Sequence, residues 1–172
     1  MSKLKLYYID NTYIEKLRIV DNKISQTKGE RRPFVGIIVL AGKYNYFVPL
    51  TSPKEKHIRM RNSEDFLKIH DNNGACIGAI NFNNMLPVQD LSLIKKVDFK
   101  SLPDITISDE KYSKLIQKQY NSIKKIRSTI KTKTINLRNK QQAGTLRDHV
   151  KNRCVDFKKI EEYLEKWNSF KY

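Results

Sequence analysis

Two apolar runs, Phe34–Leu40 and Tyr44–Leu50, are separated by only Ala41-Gly42-Lys43. Each run is too short for a helix of ordinary length and too continuous for a solvated loop. A glycine between them supplies the turn, so the pair predicts a buried β-hairpin. That hairpin commits the first half of the chain to a sheet. Residues 4–9 read as a short strand before it, and Phe66–His70 as one after it. Asp71-Asn72-Asn73-Gly74 is a turn signal leading into a strand through Asn81, and Met85–Val88 adds another. Between these, Asn11 or Thr12 is expected to cap a helix reaching Val20, with Tyr13, Ile14 and Leu17 on one face. Residues 21–32 and 51–63 read as loops, and a short helix is expected near 98–102.

From Ser108 the period changes to three and four. Tyr112, Leu115, Ile116, Gln119, Tyr120, Ile123 and Ile126 form one stripe, with lysines opposite. The pattern predicts one long basic helix reaching 129–134, a second piece to Gln142 ending at Gly144, and a last helix over Asp156–Trp167. Strands first and helices after give an α+β class, in one domain spanning 1–172.

Charge narrows the partner. The 172 residues carry a formal net charge of +16, far beyond what solubility requires, and such a surface attracts polyanions. From Lys111 to Arg147 the cations stand at 111, 114, 118, 124, 125, 127, 131, 133, 138, 140 and 147, with no Asp or Glu among them. A solvated helix face is the bland reading of such a run. Unscreened, however, so many like charges repel, and a bound nucleic acid would neutralise them. Lys118, Lys124, Lys125, Arg127 and Lys131 are the candidate contacts. The helix lacks the Trp/Phe/Leu face of a membrane-lying segment, and no apolar run is long enough to span a bilayer. The N-terminal residues contain no signal-peptide pattern, and Cys76 and Cys154 make no CxxC pair, so a reducing cytoplasm is the expected setting.

No phosphate-cradling glycine loop, HExxH or zinc-ligand spacing occurs, and the basic segment offers no clustered carboxylates. No metal or cofactor is therefore expected. The segment that does suggest chemistry is Val48-Pro49-Leu50-Thr51-Ser52-Pro53-Lys54. It joins two hydroxyls and an ammonium where a strand runs into a loop. Arg31 and Arg32 precede the strand that should pair with it, so Arg32 and Thr51–Lys54 are expected at one sheet edge. Hydroxyls with fixed cations suit a phosphate gaining charge in a transition state. A capped surface turn is the other reading of the same residues. His57 is the only histidine near that loop and is a candidate acid, base or RNA contact.

Several landmarks in order carry a resemblance. They are Leu6-Tyr7-Tyr8-Ile9 with Tyr13-Ile14, Arg32-Pro33-Phe34-Val35-Gly36-Ile37, and Tyr46 through Lys54. Ile77 through Val88 follows, containing Gly-x-Ile-Asn-x-x-x-Met-x-Pro, and then the helix with Tyr112, Leu115, Gln119 and Tyr120. In these the chain resembles the ToxN/AbiQ/CptN family of endoribonuclease toxins from type III toxin–antitoxin systems. The resemblance implies a twisted antiparallel, partly barrel-like sheet of the MazF/Kid kind with added helices. It also implies metal-independent cleavage of single-stranded cellular or phage RNA by the neighbouring 2′-hydroxyl, leaving a 2′,3′-cyclic phosphate. The partner implied is a small repeat antitoxin RNA, folded as a pseudoknot and closing a protein–RNA ring. Residue by residue, Ser52 matches the hydroxyl on which family activity depends most, and Thr51 its neighbour. Arg32 stands where some relatives have Lys, a fork suited to clamping phosphate more than to proton transfer. Lys54 is expected on phosphate or the leaving oxygen, and Tyr13 along the RNA path. Two rivals remain: a non-catalytic RNA-binding module, which shares the charge and the α+β order, and a MazF-like toxin with a protein antitoxin, which would be smaller and would expose an apolar groove for a peptide instead of a long lysine face.

Overall fold

The structure, a computed structural model, describes residues 4–26, 35–100 and 107–169. Its elements in chain order are β1 (Leu6–Ile9), α1 (Asn11–Val20), β2 (Val35–Ala41), β3 (Tyr44–Thr51) and α2 (Glu55–Arg59). Then come β4 (Phe66–His70), β5 (Cys76–Asn81), β6 (Leu86–Val88) and β7 (Ile94–Lys96). Last are α3 (Ile107–Lys125), α4 (Arg127–Gln142), α5 (Asp148–Arg153) and α6 (Phe157–Ser169).

The described strands form one antiparallel, open sheet in the order β4-β5-β3-β2-β1-β7, with β6 joined to β3 off that path. The expected hairpin is its centre: Gly36 lies opposite Pro49 and Ala41 opposite Tyr44. Gly42 makes the turn at φ 61°, a left-handed conformation that glycine adopts without steric cost. β3 changes partners along its length. Asn45–Phe47 pair with β6, whereas Leu50 and Thr51 pair with Ile80 and Ala79 of β5. The strand therefore branches the sheet, and its last residue is delivered to the branch.

The α+β order is as expected, and several details differ. The barrel-like closure is not observed, since β4 and β7 end the sheet separately. Asp10, not Asn11 or Thr12, caps α1: its carboxylate accepts the Tyr13 N–H at 2.9 Å. The long basic helix is two helices. At Ile126 the N–H bonds back three residues, to Ile123 O at 3.2 Å, which tightens the end of α3 and interrupts it before α4. α2 occupies part of the expected 51–63 loop. β7 precedes the expected 98–102 helix, of which residues 99–100 are a turn and 101–102 lie outside the described residues. Gly144 ends the turn after α4 at φ 71°, as expected.

The core lies between the sheet and the helices. Tyr46, Phe47, Phe82, Phe157, Ile80 and Leu17 are among its fully buried side chains. Two buried carboxylates tie the helices to the strands. Glu161 of α6 accepts from Tyr46 Oη at 2.6 Å, from Arg138 Nε and Nη2 at 2.8 Å each, and from Gln142 Nε2 at 3.0 Å. Asp65 accepts from both Arg153 Nε and Nη2 at 2.5 Å and from Ser63 Oγ at 2.8 Å. Burial opposes ionisation of Asp65, but these hydrogen bonds outweigh it and hold its pKa below the usual carboxylate range.

Candidate nuclease site and its surroundings

β3 ends at Thr51, and the chain passes through Ser52, Pro53 and Lys54 into α2. Pro53 has no N–H to donate to a ladder, and the strand stops where the hydroxyls stand. Thr51 and Ser52 are half-buried, and Pro53 and Lys54 are exposed. Among the described residues Thr51 Oγ1 donates to the Ser52 carbonyl, at 3.3 Å, a long bond that a ligand can replace. The structure thus brings two hydroxyls and an unburied ammonium to one short segment at the branch of the sheet.

Two further residues define that segment's shape. His57 N–H donates to the Lys54 carbonyl at 2.8 Å, and His57 Nδ1 accepts the Lys54 N–H at 3.2 Å. The imidazole is buried, with its ring centroid 5.5 Å from that of Phe66. Burial pushes its pKa below 6.5, and Lys56 and Lys54 push it the same way. With Nδ1 accepting, the neutral ring carries its proton on Nε2 and has no free lone pair for a general base. His57 therefore serves here as a clamp on the Lys54 backbone, and the expected RNA contact and acid–base role are not offered by this placement. Because the folded pKa is lowered, the stability His57 contributes is full above about pH 6.5 and is lost as pH falls through the folded value. An NMR titration of its ring protons is expected to give a midpoint below 6.5; a midpoint above it would contradict the clamp.

Gln119 of α3 is the second. Its Nε2 donates to Thr51 O at 3.2 Å and to Ile77 O at 2.8 Å. The sequence placed Gln119 in an apolar stripe without giving it a role. A polar residue on the core face of a helix was the available signal.

Tyr13 is buried. Its hydroxyl donates to the Pro87 carbonyl at 2.7 Å, and burial drives its pKa upward. The ring is held in the core and presents no face to a base, so the expected RNA contact is not made available. Arg31 and Arg32 lie outside the described residues. The register that places Gly36 opposite Pro49 does bring the beginning of β2 beside the end of β3.

The basic run divides into engaged and open cations. Arg138 pairs with Glu161, and Lys140 and Arg147 both pair with Glu64. Lys114 bonds Glu110, and Lys133 is half-buried with its ammonium on the Ser63 carbonyl. Lys125 donates to Asn72 Oδ1 at 2.6 Å while remaining exposed, and Arg127 is half-buried. Lys111, Lys118, Lys124 and Lys131 are exposed and make no ion pair among the described residues, although Lys124 sits 4.7 Å over the Tyr120 ring. Among the described residues no group of three or more His, Cys, Asp or Glu could hold a metal ion. No helix among them is long and apolar enough to cross a membrane. Cys76 and Cys154 are both free thiols, and burial pushes Cys154 up to about 12.

Comparison with known proteins gives these observations a context. The family described as toxin ToxN of type III toxin–antitoxin systems matches residues 5–165. Endoribonuclease ToxN of Bacillus thuringiensis subsp. kurstaki is 31% identical over 169 residues, covering 95% of this chain and 84% of the relative. Endoribonuclease AbiQ of Lactococcus lactis subsp. lactis is 27% identical over 139 residues, covering 76% and 72%. Among solved structures, one from work on selective toxin inhibition by a non-coding RNA pseudoknot superposes with a TM-score of 0.78. It is 29% identical and covers 97% of this chain and 99% of its own. Another, from work on a processed non-coding RNA that regulates a bacterial antiviral system, has a TM-score of 0.76 at 27% identity, covering 92% and 95%. With the match running through the strand that ends at Thr51, the branch at β5 and the basic helices, the chain belongs to the ToxN family of type III toxins.

Proposed function

We propose that this protein is an endoribonuclease toxin that cuts single-stranded RNA at the Thr51–Ser52 segment and is restrained by a small repeat RNA. The observation that carries the reading is the pair of half-buried hydroxyls beside exposed Lys54, in a chain whose relatives are endoribonucleases. In the reaction the 2′-oxygen attacks the adjacent phosphorus and loses its proton, the P–O5′ bond breaks, and O5′ takes up a proton. The products are a 2′,3′-cyclic phosphate and a 5′-hydroxyl. Charge accumulates on the non-bridging oxygens at the transition state, which is where preorganised donors act most strongly. Ser52 orients the 2′-hydroxyl or the phosphate, and Thr51 supports it from the same segment. Lys54 contacts a phosphate or the leaving oxygen, and Arg32 clamps the pentacoordinate phosphorus. No step requires a metal. A serine without an adjacent base is a poor covalent nucleophile, so Ser52 is not assigned that role.

The restraining RNA is proposed to lie on the open lysines of α3 and α4, within a closed protein–RNA assembly in which the 1–172 chain acts as one domain. The open sheet, branched at β3, is the proposed counterpart of the MazF/Kid sheet. Incubation of single-stranded RNA with the protein and excess EDTA tests the reaction. Cleavage with cyclic-phosphate ends is expected. Tight, salt-sensitive binding without cleavage would instead assign a binding module. For the RNA face, Lys118→Glu, Lys124→Glu and Lys131→Glu combined are expected to lower the slope of log affinity against log salt by about 2–3, since each lost phosphate contact removes roughly 0.7–0.9. Equal affinities at every salt concentration would mean that this face is merely solvated.

A further inference from the structure

The Thr51–Ser52 segment is held from behind by the Gln119 side-chain amide. The β3–β5 ladder ends with Thr51 opposite Ala79. At the next position on β5 stands Gly78, with φ +154°. A Cβ there would lie 2.2 Å from Gln119 Nε2 and 2.5 Å from the Thr51 carbonyl oxygen. The missing side chain is therefore the slot through which Gln119 reaches the sheet. Gln119 is only 1% exposed. Both N–H groups of its Nε2 are used, one on Ile77 O of β5 and one on Thr51 O of β3. Two carbonyls face this end of the amide, so the nitrogen must be the atom that meets them.

We infer that Gln119 is a positioning residue of the nuclease site, acting through the Thr51 carbonyl to set the direction of Ser52. The reasoning is geometric. The Thr51 carbonyl and the Ser52 N–H belong to one planar peptide group. Fixing the oxygen of that group fixes its plane, and with it the position of the Ser52 Cα from which the hydroxyl projects. Beyond Ala79 the ladder no longer supplies that restraint, and Pro53 prevents its continuation. The Gln119 amide adds a second restraint at the peptide where the chain leaves the ladder and the proposed chemistry begins. The inference rests on the assignment of Thr51–Ser52 as the site.

The test compares wild type, Gln119→Met, Gly78→Ala, Ser52→Ala and the double variant Ser52→Ala/Gln119→Met. Methionine keeps the length of glutamine and removes both donors. With a fluorophore–quencher RNA of mixed sequence, kcat of Gln119→Met is expected to fall by about 10–100-fold, the scale of a small misplacement of reacting groups. The Kd for an all-2′-deoxy oligonucleotide of the same sequence is expected to stay within about twofold. In the Ser52→Ala background, Gln119→Met should lower single-turnover cleavage by less than about twofold, because two residues acting through one group are not additive. Gly78→Ala, whose Cβ would displace both the amide and the Thr51 carbonyl, should lose at least as much as Gln119→Met. Unchanged kcat in a folded Gln119→Met, or an equal further loss in the double variant, would overturn the positioning role. If Ser52→Ala cleaves like wild type, the site assignment itself fails, and that is a separate result. Should Gln119→Met not fold, the wild-type Gln119 side-chain amide resonances are expected to shift on adding the deoxy oligonucleotide; resonances that stay fixed at saturation would overturn the inference.

Discussion

Replacing Ser52 by alanine is expected to lower RNA cleavage by at least about 100-fold, the loss seen when one preorganised donor is removed from a developing oxyanion. Ser52 follows the last laddered residue of β3 and precedes Pro53, so the substitution removes an oxygen without removing a strand contact. Its side chain makes no described hydrogen bond within the protein, hence little stability should be lost. If the restraining RNA lies on the open lysines of α3 and α4, as proposed, RNA binding should change by less than about twofold, as expected for independent sites. Single-turnover cleavage and filter binding on the same preparations separate the two effects. A folded Ser52→Ala protein that cleaves at the wild-type rate would remove the site from this segment.

Arg138→Met is expected to cost about 3–5 kcal/mol of stability, the scale for breaking a buried ion pair from one side. Arg138 makes both of its short bonds to Glu161, whose remaining partners are the Tyr46 hydroxyl and the Gln142 amide. Glu161 is buried, so loss of the guanidinium leaves a carboxylate with neutral donors only. Tyr46 stays a neutral donor to it, because burial and the Glu161 hydrogen bond both push its pKa upward. In a chain of this size each kcal/mol moves Tm by about 2–4 °C, so a fall of roughly 6–20 °C is expected. Urea denaturation gives the free energy directly. Adding Glu161→Leu to Arg138→Met should recover much of the loss, since an apolar pair can replace a buried ionic one. No recovery would mean that packing, not the stranded charge, set the cost.

The strands that local pattern revealed are those with a local cause. Phe34–Leu40 and Tyr44–Leu50 carry their own apolar continuity and their own turn glycine. The Asp71–Gly74 turn is held by the Asp71 carboxylate accepting the Asn73 and Ala75 N–H groups at 2.9 and 3.0 Å, partners two and four residues away. The elements that escaped have no such signature. β7 is three residues long and exists because Ile94, Lys95 and Lys96 pair with Ile9, Tyr8 and Tyr7. α2 lies in a polar stretch and is clamped by His57 against Lys54. α5 contributes one buried side chain, Val150. The site shows the same division. Thr51, Ser52 and Lys54 were visible because they are adjacent. Gln119 and Gly78 were visible only as landmarks, since their meaning lies in a contact 68 residues along the chain from Thr51.

The amino-acid order alone settled the α+β class, the central hairpin, the turn glycines and the excess of positive charge. Each of these follows from neighbours within a few residues, where backbone sterics and side-chain period act. The fold settled which charges are paired and which side chains are exposed. It neutralised Arg138, Lys140 and Arg147 with Glu161 and Glu64 from distant elements. It drew Tyr13 and His57 into the interior and left Lys111, Lys118, Lys124 and Lys131 open. A cation's fate depends on the nearest carboxylate in space, and a ring's exposure on what packs over it. Neither distance is written in the order of the residues.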